Sequence, residues 1–275
     1  MLQTLQQQGL RHVVLCPGSR SGPLALAAAG LKRSGLITLS TAIDERSAGF
    51  HALGRSTASG VATAVITTSG TAVANLLPAA VEADRSSQPL LLISADRPLR
   101  LKNKGANQTV NQEAFLTPVC RWCGSGPLDG LNTGLDHELR ALAQNAWRHL
   151  HQQPGPVHLN VPFEEPLLPD LNQQNAFWNQ WNRSEPEAIT HTPELWTPAS
   201  NNAAPALDPD QPGVIVAGPW RGLSSTLEAY QAALIAWQQR SGWPVLADPL
   251  AAIPNDLSGV IRYWDLLLPH GLSQM

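Results

Sequence analysis

Charge is scarce in this chain. Only 14% of its 275 residues are Asp, Glu, Lys or Arg, and 18 basic against 21 acidic residues leave a formal net charge of -3. No basic block stands out, which argues against nucleic acid as a partner, because phosphate backbones are held by clustered Lys and Arg. Long apolar runs are missing as well. None reaches the ~18 residues that a membrane-spanning helix needs, so no membrane association is expected. The opening stretch "MLQTLQQQGLRHVV" has neither the basic nor the apolar region of a secretory signal. Three cysteines, an odd count in a chain of this size, make no disulfide framework and point to a reducing compartment. What remains is a cytoplasmic, globular protein. Its 43% hydrophobic residues are enough for one large or two ordinary domains.

Short apolar or β-branched runs recur along the first part of the chain. They are "VVLC" (13–16), "LITLSTAI" (36–43), "TAVITTS" (63–69), "LLLISA" (90–95), "VCRWC" (119–123) and "PVHLNVP" (156–162). Helical patterns lie between them, clearest in "TGLDHELRALAQNAWRHL", where Leu135, Leu139, Leu142, Ala146 and Leu150 form one stripe. Strands and helices in alternation, with near-continuous apolar strands, predict an α/β fold: a doubly wound parallel sheet covered on both faces. This first domain is placed at residues 1–165. Residues 166–210 are rich in Pro, Asn, Gln and Ser and show no sustained period, which reads as an extended linker anchored by Trp178, Trp181 and Trp196. In 211–275, "GVIVAGPW" and "WPVLADP" read as strands flanking the helix "LSSTLEAYQAALIAWQQRSG", and "VIRYWDLLL" as a further helix. That is too little for an independent doubly wound domain, so a truncated second α/β domain is expected.

Three strand ends carry polar loops. "LCPGSRSGPLALAAAG" (15–30) is strand, glycine-bearing turn and helix, with Ser19, Arg20 and Ser21 at the edge where ligands of parallel sheets gather. It is neither a Walker loop nor GxGxxG. Arg20 is suited to holding a carboxylate bidentately; the plainer reading is a serine cap beside a solvated arginine. "TTSGTAVANLLPAAVEA" (67–83) repeats the arrangement, Gly70 permitting a tight turn. "SADRPLRLKNKGANQTVNQ" (94–112) contributes Arg97, Asn107 and Gln108. Convergence of several loops on one edge outweighs any loop singly. "STAIDERSAGFHALG" (40–54) sets Asp44, Glu45 and Arg46 at the end of a strand that reads as buried; on the plainer reading Asp44 caps the next helix and Glu45 complements its dipole. Cys120 and Cys123 form a CxxC, but residues three apart on a strand face opposite sides and cannot share a metal. The histidines are dispersed, and His51 reads as packed or capping. No metal site is assigned to protein side chains.

Taken in order and spacing, "CPGSRSGPLALA", "DERSAGFHALG", "TSGTAVANLLPAAVEA", "SADRP" and "GANQ" resemble the amino-terminal part of the 2-succinyl-5-enolpyruvyl-6-hydroxy-3-cyclohexene-1-carboxylate synthases. The resemblance covers residues 9–165 closely and 211–275 more loosely, through "ADPLA" and "VIRYWDLLL". It implies a thiamine-diphosphate- and Mg²⁺-dependent carboligase of menaquinone or phylloquinone biosynthesis. Such enzymes decarboxylate 2-oxoglutarate and add the succinyl unit to isochorismate. Residues 1–165 would then be the pyrimidine-binding domain. Glu45 matches the catalytic glutamate facing the cofactor's aminopyrimidine, and Ser69, Gly70 and Thr71 match a segment beside the cofactor. Arg20 and Arg97 match arginines that contact substrate carboxylates, with Ser19, Asn107 and Gln108 as further polar contacts. Both substrates are dicarboxylates, which suits fixed cations.

The resemblance also implies a homodimer or homotetramer whose active site lies between the pyrimidine domain of one subunit and the diphosphate domain of another. The diphosphate-binding domain, with its GDG motif and Asn for Mg²⁺, is not found here, so the 275 residues alone are expected to be inactive. Two rival readings stand: an acetolactate-synthase-like carboligase, against which the "PGSRS" and "ADRP" arginines argue, and a non-catalytic remnant that associates with other subunits.

Overall fold

A computed structural model describes residues 1–181, 207–222, 226–264 and 266–267. The chain divides into two compact units, residues 1–197 and 198–275.

In the first unit, α1 (Leu2–Gln8) leads to β1 (His12–Leu15), α2 (Gly22–Arg33), β2 (Thr38–Thr41), α3 (Glu45–Ser59) and β3 (Thr63–Thr67). Then come α4 (Thr71–Ala74), α5 (Leu77–Ser86), β4 (Leu90–Asp96), α6 (Glu113–Leu116), β5 (Trp122–Ser125), α7 (Asp136–Gln152), β6 (Pro156–Pro162) and α8 (Leu171–Trp181). The six strands form one sheet in the order β2-β1-β3-β4-β6-β5, every pairing parallel. Alternation along the buried strands feeds two cores. Val13, Ala64, Ile66, Leu91, Ile93, Val157 and Leu159 face one layer with Leu24, Leu31, Trp147 and Leu150. Val14, Val65, Leu90 and Leu92 face the other, with Ala48, Ala52, Leu76, Ala79 and Ala83. This is the doubly wound parallel sheet that the alternating pattern predicts.

Several elements depart from expectation. β2 is not buried: it is an edge strand, half-exposed along its length. Its apolar run reflects one covered face only. β5 begins at Trp122, so Cys120 precedes the strand, and the opposite-faces argument for the two cysteines fails. His51 is exposed on α3 rather than packed. The stretch read as an extended linker contains α8, whose Trp178 is buried against α2 at Gly30, with the Arg33 guanidinium 5.7 Å from its ring centre. The side chain of Trp181 and all of Trp196 lie outside the described residues.

In the second unit, β7 (Ile215–Ala217), β8 (Val245–Ala247) and β9 (Val260–Ile261) form a three-stranded parallel sheet, with α9 (Leu227–Ser241) following β7 in the chain and Ala217, Val245, Ala247 and Ile253 in the core. The helix expected at "VIRYWDLLL" instead opens as β9. Two β-branched residues, following Gly259 in a left-handed turn at φ 78°, pair with β8.

Candidate active site

The strand order reverses between β1 and β3: the chain steps outward from β1 to β2, then crosses to β3 on the other side. At such a switch point ligands of parallel sheets gather beyond the carboxyl ends of the strands. The loops after β1 and β3 meet there. A Cβ on Gly18 would come within 2.4 Å of Thr68 Cβ, so only glycine permits the contact.

Both candidate arginines turn inward at this edge, each only 8% exposed. Arg20 donates from Nη1 to the Phe163 carbonyl and from Nη2 to Glu165 Oε1, both at 3.0 Å, while its Nε is buried without a partner. The solvated arginine of the plainer reading is therefore excluded. Arg97 donates from Nη1 to Ser69 Oγ and, at 2.9 Å, to the Gln108 carbonyl. Burial lowers its pKa, and the nearby Arg20 charge lowers it further, against the pull of Asp96 and Glu165. The two guanidinium groups thus feel each other, as expected of a site for anionic ligands.

The loop after β3 is fastened from beneath. Gly70 has φ 83°, and a Cβ there would lie 2.7 Å from Gln108 Cγ. Ser69 Oγ donates to the Gln108 carbonyl at 3.2 Å, and Gln108 Nε2 donates back to the Ser69 carbonyl at 3.0 Å. Gln108 itself is in the left-handed region at φ 56°. Ser69, Gly70, Arg97 and Gln108 are therefore brought together. Thr71 opens α4 and is exposed. Ser19 and Asn107 are not drawn in: both side chains are exposed, the Ser19 carbonyl accepting from Gly22 N–H and the Asn107 carbonyl from Thr109 Oγ1.

Glu45 is the first residue of α3, after the edge strand β2. Asp44 is the cap, its Oδ1 accepting from Ser47 N–H at 2.6 Å, a bond that lowers its pKa. With the cap filled, the Glu45 carboxylate is turned elsewhere: Oε2 accepts from Asn75 Nδ2 at 3.1 Å, across to the segment between α4 and α5. Burial, then the charges of Glu45 and Asp44, push the Cys16 thiol at the end of β1 up to about 12, so it stays neutral. Glu45 thus stands on the switch-point side of α3, half-buried.

A buried polar layer supports these loops, and sequence reasoning missed it. Gln112 is fully buried; its Oε1 accepts from Gly70 N–H at 3.0 Å. Its Nε2 donates to Asn160 Oδ1 at 2.7 Å, to the Ala95 carbonyl at 3.0 Å and to Ser94 Oγ at 3.2 Å. Asn160 Nδ2 donates to Asp96 Oδ2 and Glu113 Oε1, both at 2.8 Å. Lys102 closes the layer with contacts of 2.7 Å to each carboxylate. Burial alone would lower the Lys102 pKa, but its bonds to Asp96 and Glu113 raise it. The signal lay in β6: His158 and Asn160 alternate with Val and Leu in a strand buried throughout, and buried polar side chains require partners. Gln112→Leu should therefore strand the Gly70 N–H and the Ala95 carbonyl, at about 1–3 kcal/mol for each group left unpaired. Urea unfolding of the variant checks this, and an unchanged midpoint would mean that these bonds hold nothing.

Comparison with known proteins agrees with this architecture. The family model "Thiamine pyrophosphate enzyme, N-terminal TPP binding domain" matches residues 1–115. The whole chain is 88% identical to a 2-succinyl-5-enolpyruvyl-6-hydroxy-3-cyclohexene-1-carboxylate synthase of Synechococcus sp. (strain CC9311), of which it covers 48%. Proteins of the same name from Prochlorococcus marinus (strain MIT 9303) and Synechococcus sp. (strain WH7803) are 60% and 61% identical over 96% and 99% of the chain, covering 47% of each. The chain spans about half the length of the curated relatives it matches. In its parallel sheet, in the polar loops at the switch point and in identity at this level, the chain matches the amino-terminal half of the 2-succinyl-5-enolpyruvyl-6-hydroxy-3-cyclohexene-1-carboxylate synthases, and its first 115 residues match the N-terminal domain of thiamine-diphosphate enzymes.

Proposed function

We propose that the whole protein decarboxylates 2-oxoglutarate and adds the succinyl unit to isochorismate, with residues 1–165 as its pyrimidine-binding domain. One observation carries the substrate reading: two buried guanidinium groups, Arg20 and Arg97, converge at the sheet's carboxyl edge where a carboxylate ligand would sit. Arg20 already holds the carboxylate of Glu165, which is largely exposed and so cheaply displaced. Its free Nε adds a donor for an incoming anion.

The residues present also fit a heteroaromatic ring. Glu45 offers a carboxyl steadied by Asn75, and Cys16 nearby is neutral. Thiamine diphosphate, when bound, supplies the electron sink for decarboxylation of a 2-oxo acid. Glu45 would hold and share a proton with the aminopyrimidine, and Ser69, Gly70 and Thr71 would flank the cofactor. Arg20, Arg97 and Gln108 orient substrate carboxylates, with Ser19 and Asn107 available from the rim. Mg²⁺ and the diphosphate fall, on this reading, to a diphosphate-binding domain outside these 275 residues, supplied by a second subunit of a homodimer or homotetramer. Residence in the cytoplasm fits the substrates. Among the described residues, no helix is long and apolar enough to cross a membrane.

The test is product formation by the full-length protein with thiamine diphosphate and Mg²⁺, each substrate withheld in turn. The expected adduct requires both 2-oxoglutarate and isochorismate. Efficient condensation of pyruvate alone would replace this reading with an acetolactate-synthase-like one, and no turnover of any 2-oxo acid would favour a non-catalytic role.

A further inference from the structure

On the outer edge of the sheet, away from the loops after β1, β3 and β4, lies a second reactive cluster. Cys120 sits in the turn after α6, its N–H donating to the Leu116 carbonyl at 3.0 Å, and Cys123 is the second residue of the edge strand β5. The turn between them brings the side chains together, so that the Cys120 thiol donates to the Cys123 sulfur. Across the parallel ladder Cys123 is in register with His158 of β6, and that imidazole is among the groups that lower its pKa. His158 is fully buried: Nε2 pairs with Ser94 Oγ at 2.7 Å, and Nδ1 has no partner. Cysteines packed merely as small apolar side chains would not need an imidazole with an unpaired nitrogen beside them.

We propose that Cys120 and Cys123 form a dithiol site that exchanges with disulfides and closes to an intramolecular disulfide. Cys123 is the attacking sulfur. The hydrogen bond from Cys120 lowers its pKa and His158 lowers it further, burial working against both, with the Thr117 hydroxyl alongside. The same hydrogen bond and burial raise Cys120. The charged groups facing the pair, Asp84 of α5 and Arg121 of the turn, oppose each other in sign and are bonded together. Both cysteines are partly exposed, whereas Cys16 is buried.

The exchange balances without an unnamed reagent. The Cys123 thiolate attacks a disulfide RSSR, forming a mixed disulfide and expelling RS⁻. Cys120 then loses its proton and attacks the Cys123 sulfur, the new S–S bond forms, and a second RS⁻ leaves. Two protein thiols are oxidised, RSSR is reduced to two RSH, and both protons end on the released thiols.

The full chain should be reduced, exposed to glutathione disulfide, then trapped with N-ethylmaleimide and digested for mass spectrometry. The expected result is a peptide spanning both cysteines that has lost two hydrogens and taken no maleimide, with Cys16 alkylated only after unfolding. Cys120→Ser should stop at a glutathione adduct on Cys123. In the reduced chain, the pH midpoint of Cys123 alkylation should lie below the usual thiol range and move upward in His158→Gln. Once that midpoint has moved above the assay pH, alkylation should slow about tenfold for each further unit of rise. Comparing the native chain with the same chain in guanidinium needs no variant: the native form should react faster. Equal rates in native and unfolded chain, or separately alkylated thiols with no internal disulfide, would overturn the proposal.

Discussion

Replacing Glu45 with glutamine in the full-length enzyme is expected to lower kcat by about 10²–10⁴-fold, the usual worth of a positioned acid–base group. The fold should survive. The amide nearly matches the carboxyl in volume, and the cap of α3 belongs to Asp44. The partner of Glu45, Asn75, can still donate to an amide oxygen. What is lost is the ability of Glu45 to hold a proton. The decisive measurement is deuterium exchange at the thiazolium C2 of the bound cofactor, beside a thermal melt. Slow exchange with an unchanged melt supports the role. Unchanged exchange would leave Glu45 as nothing more than a residue of the helix's first turn that complements its dipole.

The second large effect is expected at the arginines. Removing Arg97 takes away a buried cation and its bonds to Ser69 Oγ and the Gln108 carbonyl, which are left with each other. A charge-assisted hydrogen bond to a desolvated carboxylate is worth about 1.5–3 kcal/mol, so Arg97→Ala should cost roughly 10–100-fold in kcat/KM for one of the two substrates. Arg20→Ala should cost a similar factor and release Glu165. Cofactor affinity should change little in either variant, since neither residue is assigned to the diphosphate. Lysine should rescue only in part, because a point charge does not replace the planar fork. Steady-state kinetics varying each substrate separately, with a cofactor titration alongside, separates these effects. Normal kinetics for both substrates in both alanine variants would remove the case for carboxylate recognition at this edge.

Much of the fold was legible from residue order alone. β4 and β6 were found almost residue for residue, because strands covered on both faces are dominated by apolar residues, legible without knowledge of neighbours. The polar strand ends were visible for the same reason: where a run of Leu, Ile and Val gives way to Arg97 or to Ser69 and Gly70, the buried strand has ended. The motifs around Glu45, Arg20 and Arg97 carried the family resemblance.

Other features depend on what lies opposite, which no local pattern states. Strand order made β2 an edge, although its sequence reads like that of a central strand. A turn before Trp122 brought Cys120 against Cys123, where strand periodicity would have separated them. Val260 and Ile261 joined a sheet because β8 offered an unpaired side, while their spacing suited a helix equally well. The layer of Gln112, Asn160, Asp96 and Lys102 joins segments far apart in the chain, each polar residue tolerable in the core only because the others satisfy it. Local pattern determined which residues are strands, helices and polar ends. Tertiary structure alone decided which of those ends meet, because hydrogen-bond and charge partners are set by strand order rather than by distance along the chain.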